Sequence, residues 1–490
     1  MKNPLLYEVN TRCWLREWAE REGRKLTLAT IPEAELQGWQ EWGFTHIWLM
    51  GVWETSPQSR MQAQEDPQLR GLYDEVLPGW REEDVPGSPY AIDEYEVAKS
   101  LGGNRALEKL RGRLAKRGMK LILDFVPNHF GLGHRWAKTR PDWFVNGGEG
   151  NQGVVPVETP AGPRWLALGK DPNFPPWPDT LQIDYRRPAV RAAMIRILGR
   201  IASQCDGVRC DMAMLVLNEV FARTWAHQPL EAEPPTAEFW VEAIAAVREQ
   251  APEFVFLAEA YWGLEGRLQE LGFDYTYDKH VYDCLMHHQL GELQRHLGEA
   301  PASYVARSAH FLENHDEPRV ATRLSPAEQW AAALVILGLP GMGFLQEGQL
   351  TGARVRVPVQ LGRRPREAMA GRIGEMYEEL LRVRAGSALA NGEGRVLRPE
   401  AAWTDNPTAQ NFVVTQWQIE PGEFDLVVVN LAAHRSQCRV RLEIAGLAGR
   451  QWTLRDRLGT EVYERSGDEM AGAGLFLDLP EHGSQIFQCK

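Results

Sequence analysis

Short strands that are apolar on both faces and end in charge constrain this chain most. Residues 121–130 read L-I-L-D-F-V-P-N-H-F, with one carboxylate, Asp124, inside the apolar run from Leu121 to Val126. A strand apolar on both faces is covered on both sides, as in a parallel sheet wrapped by helices. A buried carboxylate is costly unless paired, so Asp124 is expected to meet a cation or strong donors. Three similar segments follow: G-V-R-C-D-M-A at 207–213, F-V-F-L-A-E-A-Y-W at 254–262 and H-F-L-E-N-H-D-E at 310–317. Each carries acids at or just past its C-terminal end. Four charged strand ends in one chain point to one shared pocket.

Strand and helix patterns alternate through the first ~390 residues, the mark of a parallel α/β fold. Strands are expected at 5–10, 45–50, 121–126, 206–210, 253–258, 309–312 and 341–345, with the stretch Gly272-Phe273-Asp274-Tyr275 between two helices. Helices are expected at 31–42, 104–117, 188–204, 236–250, 264–271, 280–297, 326–337 and 366–385. Eight strands in all are what a closed (β/α)8 TIM barrel needs. Two segments interrupt the alternation. Residues 51–103 are rich in Pro, Gly and charge, and a loop that long carries function or small elements of its own. Residues 130–182 hold Trp143, Trp165, Trp177 and the run D-P-N-F-P-P-W-P, which reads as an inserted small subdomain after the third strand. Past residue 392 the alternating runs F-V-V-T-Q-W, F-D-L-V-V-V and R-V-R-L read as a C-terminal antiparallel β-sandwich. The expected domains are thus a catalytic barrel at 1–129 and 183–391, the insert at 130–182, and the sandwich at 392–490. Gly148, Gly150 and Gly153 match G-x-G-x-x-G but neither follow a strand nor open a helix, so no nucleotide loop is expected.

Composition narrows the function. The 490 residues carry a net charge of -12 without long runs, which disfavours nucleic acid and anionic membrane as partners. No apolar stretch reaches the ~18 residues of a membrane span. Met1-Lys2-Asn3-Pro4 leads into the first strand without an export signal, and the six cysteines lack metal-ligand spacing. Reduced thiols and a cytoplasmic location are expected. The 18 tryptophans are many for this length; tryptophan ordinarily packs cores, but it also stacks on the apolar faces of sugars.

Arg209 and Asp211 lie two apart on one strand, so both point the same way. A guanidinium beside a carboxylate keeps it ionised, fit to be a nucleophile or a charge stabiliser. Glu259 closes a strand of Phe, Val, Phe, Leu and Ala, and apolar surroundings raise a carboxyl pKa and suit a general acid. Two carboxyls pushed apart in this way are the pattern of retaining glycoside hydrolysis. Asp316 is placed to orient a sugar hydroxyl or support ring distortion, and His129 and His315 are candidate donors to sugar hydroxyls. Singly, each has an ordinary explanation: a buried ion pair for Arg-x-Asp, a helix N-terminal acid for Glu259, turn chemistry for Asn-His-Asp. His287-His288 has no acid at ligand spacing and reads as helix surface. The case rests on four such ends falling at strand termini of one barrel.

Those segments carry a resemblance. D-F-V-P-N-H at 124–129, G-V-R-C-D-M-A at 207–213, the Glu of A-E-A-Y-W and E-N-H-D at 313–316, with S-P-Y-A-I at 88–92, I-D-Y at 183–185 and G-L-P-G-M-G-F at 338–344, identify the chain as similar to the α-amylase family of glycoside hydrolases. The resemblance implies that Asp211 is the nucleophile, forming a covalent β-glycosyl intermediate, and that Glu259 protonates the leaving oxygen and then serves as base. It implies that Asp316 stabilises the transition state through the 2- and 3-hydroxyls and that Arg209 holds Asp211. His129 and His315 would contact the sugar where Tyr90 stacks, with Asp124 supporting the site from behind. Two departures stand out. Met212-Ala213-Met214-Leu215 follows the nucleophile where many α-amylases have a Lys or His for the leaving-side sugar and a His whose carbonyl ligates calcium. Asn128 stands where the family often has a calcium ligand, yet no partner acid in the insert is identifiable. Calcium therefore lacks a defined ligand set, and no cofactor or metal is expected. The expected substrate is an α-1,4-linked glucan or malto-oligosaccharide. The alternatives are a transglycosylase (4-α-glucanotransferase or trehalose-synthase-like) and a non-catalytic carbohydrate-binding homologue.

Overall fold

The computed structural model describes residues 3–228 and 235–490. Met1 and Lys2, where a leader would begin, and residues 229–234 of the expected barrel lie outside them. Eight parallel strands follow one another in chain order around a closed barrel: β1 (Leu5–Asn10), β2 (His46–Met50), β3 (Lys120–Phe125), β4 (Gly207–Cys210), β5 (Val255–Ala258), β6 (Tyr275–Tyr277), β7 (Ser308–His310) and β8 (Met342–Gln346), with β8 pairing back onto β1.

The double-sided apolarity of these strands has a direct cause. Leu5, Ile47, Leu49, Leu121, Leu123, Val208 and Phe256 point outward into the core shared with the helices. Leu6, Trp48, Ile122, Leu257, Met342 and Phe344 alternate with them and fill the barrel interior. The two-residue period then carries polar groups up that inner face: Glu8 above Leu6, Asp124 above Ile122, Arg209 and Asp211 above Gly207, Glu259 above Leu257. Register sets their level, since Asp124 pairs with Arg209 across β3 and β4, and Glu8 with both Trp48 and Gln346.

Helices pack outside, with ends readable in the sequence. Helix Pro326–Gly338 opens on a capping box, Ser325 with Glu328, and on Pro326 in its first turn. Helix Pro188–Gln204 also starts at its proline. Elsewhere the expectations need correction. The helix expected at 280–297 is two, Lys279–Met286 and Leu290–Glu299. Between them His288 takes a left-handed φ of 54°, so His287-His288 is a turn rather than helix surface. The helix expected from 366 begins at Gly371. Residues 366–370 instead belong to the loop after β8, where the exposed Arg366 reaches Glu20 at 3.2 Å. The sixth strand starts where the expected stretch at 272–275 ends. Helix Asn218–Thr224 was not expected.

The two interruptions are built from small elements. In the first, Trp53–Thr55 pairs with Ile92–Val97 and encloses helices Pro57–Glu65 and Pro67–Val76. In the second, His129–Gly131 pairs antiparallel with Thr180–Gln182 at the base, and Val154–Thr159 forms a hairpin with Gly162–Ala167 above it. Gly150 and Gly153, at φ 76° and 72°, lie in the turns before that hairpin and open no helix.

At the C-terminal end, strands β9 (Glu393–Leu397), β10 (Pro399–Ala401), β11 (Phe412–Gln418), β12 (Phe424–Asn430), β13 (Ser436–Val440), β14 (Gln451–Asp456), β15 (Val462–Ser466), β16 (Leu475–Leu479) and β17 (Ser484–Cys489) make two antiparallel sheets. Their orders are β9-β11-β12-β17-β14-β15 and β10-β13-β16. Phe412, Val414, Leu426 and Val428 face the core between the sheets. The alternate residues Val413, Trp417, Val427 and Val429 belong to the barrel's outer core. There the carbonyl of Gly338 accepts from Thr415 Oγ1 at 2.8 Å and Trp417 Nε1 at 2.9 Å. A Cβ on Gly338 would sit 2.9 Å from Val427 Cγ1, so this close approach needs glycine. Among the described residues no helix is long and apolar enough to cross a membrane.

Candidate active site

Arg209 is the centre of the polar layer. Its side chain is fully buried, and desolvation of that charge is offset only by groups arranged around it. Nη1 donates to Asp211 Oδ1 at 2.6 Å, Nη2 lies 2.8 Å from Glu259 Oε2, and Nε donates to the Tyr277 hydroxyl at 3.2 Å. The guanidinium also sits over the rings of Trp48 and Tyr90, 5.1 and 5.3 Å from their centroids. One cation therefore holds both candidate carboxylates on neighbouring nitrogens, where the sequence suggested a partner for Asp211 alone.

Glu259 has more donors than its apolar strand implied. Oε2 accepts from the Met212 backbone N–H at 2.6 Å and Oε1 from the Tyr261 hydroxyl at 2.9 Å. Met212 reaches that position in a left-handed conformation, φ 42°, which costs a non-glycine residue about 1–2 kcal/mol. Burial pushes the Glu259 pKa up to about 7; Arg209 opposes this, and the charges of Asp211 and Asp316 add to it. A carboxyl half protonated at neutral pH can give a proton and take one back.

His315 organises the other side. Nδ1 is 2.5 Å from Glu8 Oε1, and Nε2 is 2.7 Å from the Tyr90 hydroxyl and 3.0 Å from Asp316 Oδ2. Burial works against its charge, yet Asp316 and Glu8 hold its pKa well above the ordinary histidine value. Desolvation would raise the Asp316 pKa, but His315, with Arg209 and Arg356 behind it, holds it down to about 2. The Asp316 side chain is 52% exposed, so water screens part of that pull and leaves it ionised and open to the cleft. Asn314 supplies the turn: its Oδ1 accepts from the N–H groups of Asp316 and Glu317 at 2.9 and 3.0 Å.

Asp124 meets donors rather than a direct cation. Trp48 Nε1 donates to Oδ1 at 3.0 Å and the Gly51 N–H to Oδ2 at 2.8 Å. Gly51 adopts φ 79°, and a Cβ there would lie 2.7 Å from Pro89. Burial pushes Asp124 up to about 6 against the pull of Arg209 and Gly51. His129 is buried with its ring 5.1 Å from Trp177, and desolvation pulls its pKa down to about 4, so it is neutral at pH 7. Tyr90 is half-buried and stacks on His315 at 5.4 Å.

Interactions around Arg209 and His315 thus connect Tyr90, Asp211, Glu259, His315 and Asp316, with Asp124 behind them. Sequence reasoning passed over Glu8 and Tyr277. Glu8 was findable, because L-L-Y-E-V-N carries a lone charge in a buried strand, the same signal that singled out Asp124. Trp262, exposed at 39% and with φ 65°, stands at the rim three residues past Glu259. A separate surface recess lies between Trp136, Arg140 and Trp143 of the insert and Arg196 and Arg200 of helix Pro188–Gln204, and none of the described residues lining it is an acid.

The family model for the α-amylase catalytic domain matches residues 33–369. The chain belongs to the α-amylase family. Glycosidases and transglycosylases make up that family. An α-amylase, MalA, of Haloarcula japonica is 25% identical over 291 residues, 57% of this chain but 39% of that protein's length. An α-1,4-glucan:maltose-1-phosphate maltosyltransferase of Bifidobacterium longum is 23% identical over 202 residues, 39% of this chain and 22% of that one. The crystal structure of a maltogenic α-amylase, AmyB, from Thermotoga neapolitana superposes with a TM-score of 0.68 at 19% identity, covering 100% of this chain and 99% of that one. This likeness extends the shared fold to the C-terminal sheets.

Asn128, where an α-amylase often binds calcium, does not fit a divalent cation here. Its backbone and side-chain oxygens accept from Gln182 Nε2 at 2.8 and 2.9 Å. The nearby Asp184 is committed to Arg186 through bonds of 2.8 and 3.0 Å. Calcium takes six to eight oxygens, carboxylates among them, and among the described residues no carboxylate joins this cluster.

Proposed function

We propose that this α-amylase-family chain is a retaining enzyme of α-1,4-glucosidic bonds in malto-oligosaccharides or α-glucans. The observation that carries the reading is the shared guanidinium: Arg209 has Asp211 on one nitrogen and Glu259 beside the other. Two carboxyls so closely tethered suit the short separation of a retaining pair, about 5–5.5 Å, better than the wider gap that admits water between them. Asp211, paired with Arg209, attacks the anomeric carbon. The bond to the leaving oxygen breaks, and the proton of Glu259 passes to that oxygen. Glu259, now a carboxylate, takes a proton from an incoming hydroxyl, whose oxygen attacks the same carbon and releases Asp211. Asp316, ionised and open to the cleft, accepts hydrogen bonds from ring hydroxyls as positive charge develops on the sugar. Tyr90 offers a ring face, and neutral His129 and charged His315 offer donors.

Water and a second sugar compete to supply that hydroxyl. Transfer is the second reading, favoured by the similarity to a maltosyltransferase and by Trp262, an exposed ring past the acid on which an acceptor could stack. A product profile from maltotriose and maltoheptaose decides: only shorter sugars means hydrolysis, and chains longer than the substrate mean transfer. If neither substrate changes and Glu259→Gln has no effect on any α-glucoside, the reading fails. A cytoplasmic location is part of the proposal, supported by six free, buried cysteines.

A further inference from the structure

At the base of the insert, beside the ladder of His129–Gly131 with Thr180–Gln182, one side chain has surroundings that look like those of an ion. Gln182 is fully buried at the end of strand Thr180–Gln182, opposite His129. Its Nε2 donates to Asn128 O at 2.8 Å, Asn128 Oδ1 at 2.9 Å and Ile183 O at 3.1 Å. Three carbonyl oxygens thus converge on one nitrogen that has two hydrogens to share among them. The Gln182 oxygen in turn accepts from Asn128 Nδ2 at 3.2 Å. Asn128 O also accepts from the Ile183 N–H at 3.2 Å; left without a further donor, oxygens crowded in this way repel and pay desolvation. A positively polarised centre among them removes both costs.

We propose that the Gln182 amide nitrogen fills the place of a bound cation and fastens the insert to the barrel without metal. The amide bridges the end of β3, through Asn128, to the returning strand, through Ile183, and so fixes the backbone that carries His129. It brings its own counter-dipole, so the three neutral oxygens need no carboxylate to balance a charge. A carboxylate at this position would reverse the polarity, placing negative charge among carbonyl oxygens and creating demand for a cation.

Thermal unfolding of the full chain tests this, with EDTA or calcium chloride added. The expected result is the same Tm for the native chain in both, and no calcium binding by calorimetry. Gln182→Glu is expected to melt lower in EDTA and to recover on calcium addition in a saturable way. Gln182→Lys, whose ammonium can meet the same oxygens, is expected to keep a higher Tm than Gln182→Ala. A native Tm that falls in EDTA and returns with calcium overturns the proposal, as does a folded Gln182→Glu indifferent to calcium. If Gln182→Glu does not fold, the Lys and Ala pair decides: equal losses in both overturn it.

Discussion

At the scale of single residues, Glu259 is surrounded by groups that disagree about its proton. Burial and two neighbouring carboxylates keep the proton on, while Arg209, Met212 N–H and Tyr261 take the anion's part. With its pKa near 7, kcat/KM on maltoheptaose is expected to fall as pH rises through about 7, because the acid form is the one that protonates the leaving oxygen. Tyr261→Phe removes a donor to the anion, so the alkaline limb should move upward; an unmoved limb would show that the hydroxyl does not sense the proton. Glu259→Gln should lower kcat on maltoheptaose by roughly 10²–10⁴. An α-maltosyl fluoride, whose leaving group needs no proton, should be spared most of that loss. Equal loss on both would place the acid elsewhere.

At the scale of elements, the two-residue period of the strands explains what was readable. Alternate residues of β3, β4 and β5 carry Asp124, Arg209, Asp211 and Glu259 to one rim, and those positions follow from sequence order alone. Glu8 was legible as the one charge of a buried strand, whereas Tyr277 was not, because its strand is only three residues long. The break at His288 was unreadable, because both flanks keep helical periodicity and one left-handed residue ends it. The loop after β8 owes its course to pairings distant in sequence. Arg363 grips Asp84 at 3.0 and 2.6 Å, with Arg16 2.7 Å from the same buried carboxylate, and Arg364 holds Glu17 and Glu347. Asp84→Ala strands two arginines and should lower Tm well beyond Arg366→Ala, whose pair with Glu20 is exposed. Arg363 holds the Asp84 pKa down to about 2, so its contribution is full above about pH 4 and should be lost as pH falls toward 2. Equal Tm losses for the two variants would show that the loop is not fastened there.

At the scale of the whole molecule, β11 and β12 serve two cores at once. Val413, Trp417, Val427 and Val429 complete the barrel's outer layer, and Trp417 also satisfies the carbonyl that ends helix Pro326–Gly338. Trp417→Ala should cost about 3–5 kcal/mol, the range for a large buried aromatic, and a chain ending at Asn391 should aggregate instead of forming a free barrel. A stable, soluble barrel from that truncation would contradict this shared core. The alternation of apolar residues in F-V-V-T-Q-W and F-D-L-V-V-V made the strands legible, but not that their second face belongs to the barrel. The proposed reaction sets two carboxylates, held on one guanidinium, against one carbon. Proton NMR of the first anomeric product released from maltoheptaose tests that geometry most directly. An α-anomer formed first and mutarotating afterwards is the result expected of Asp211 and Glu259 acting by double displacement; a β-anomer formed first would contradict it.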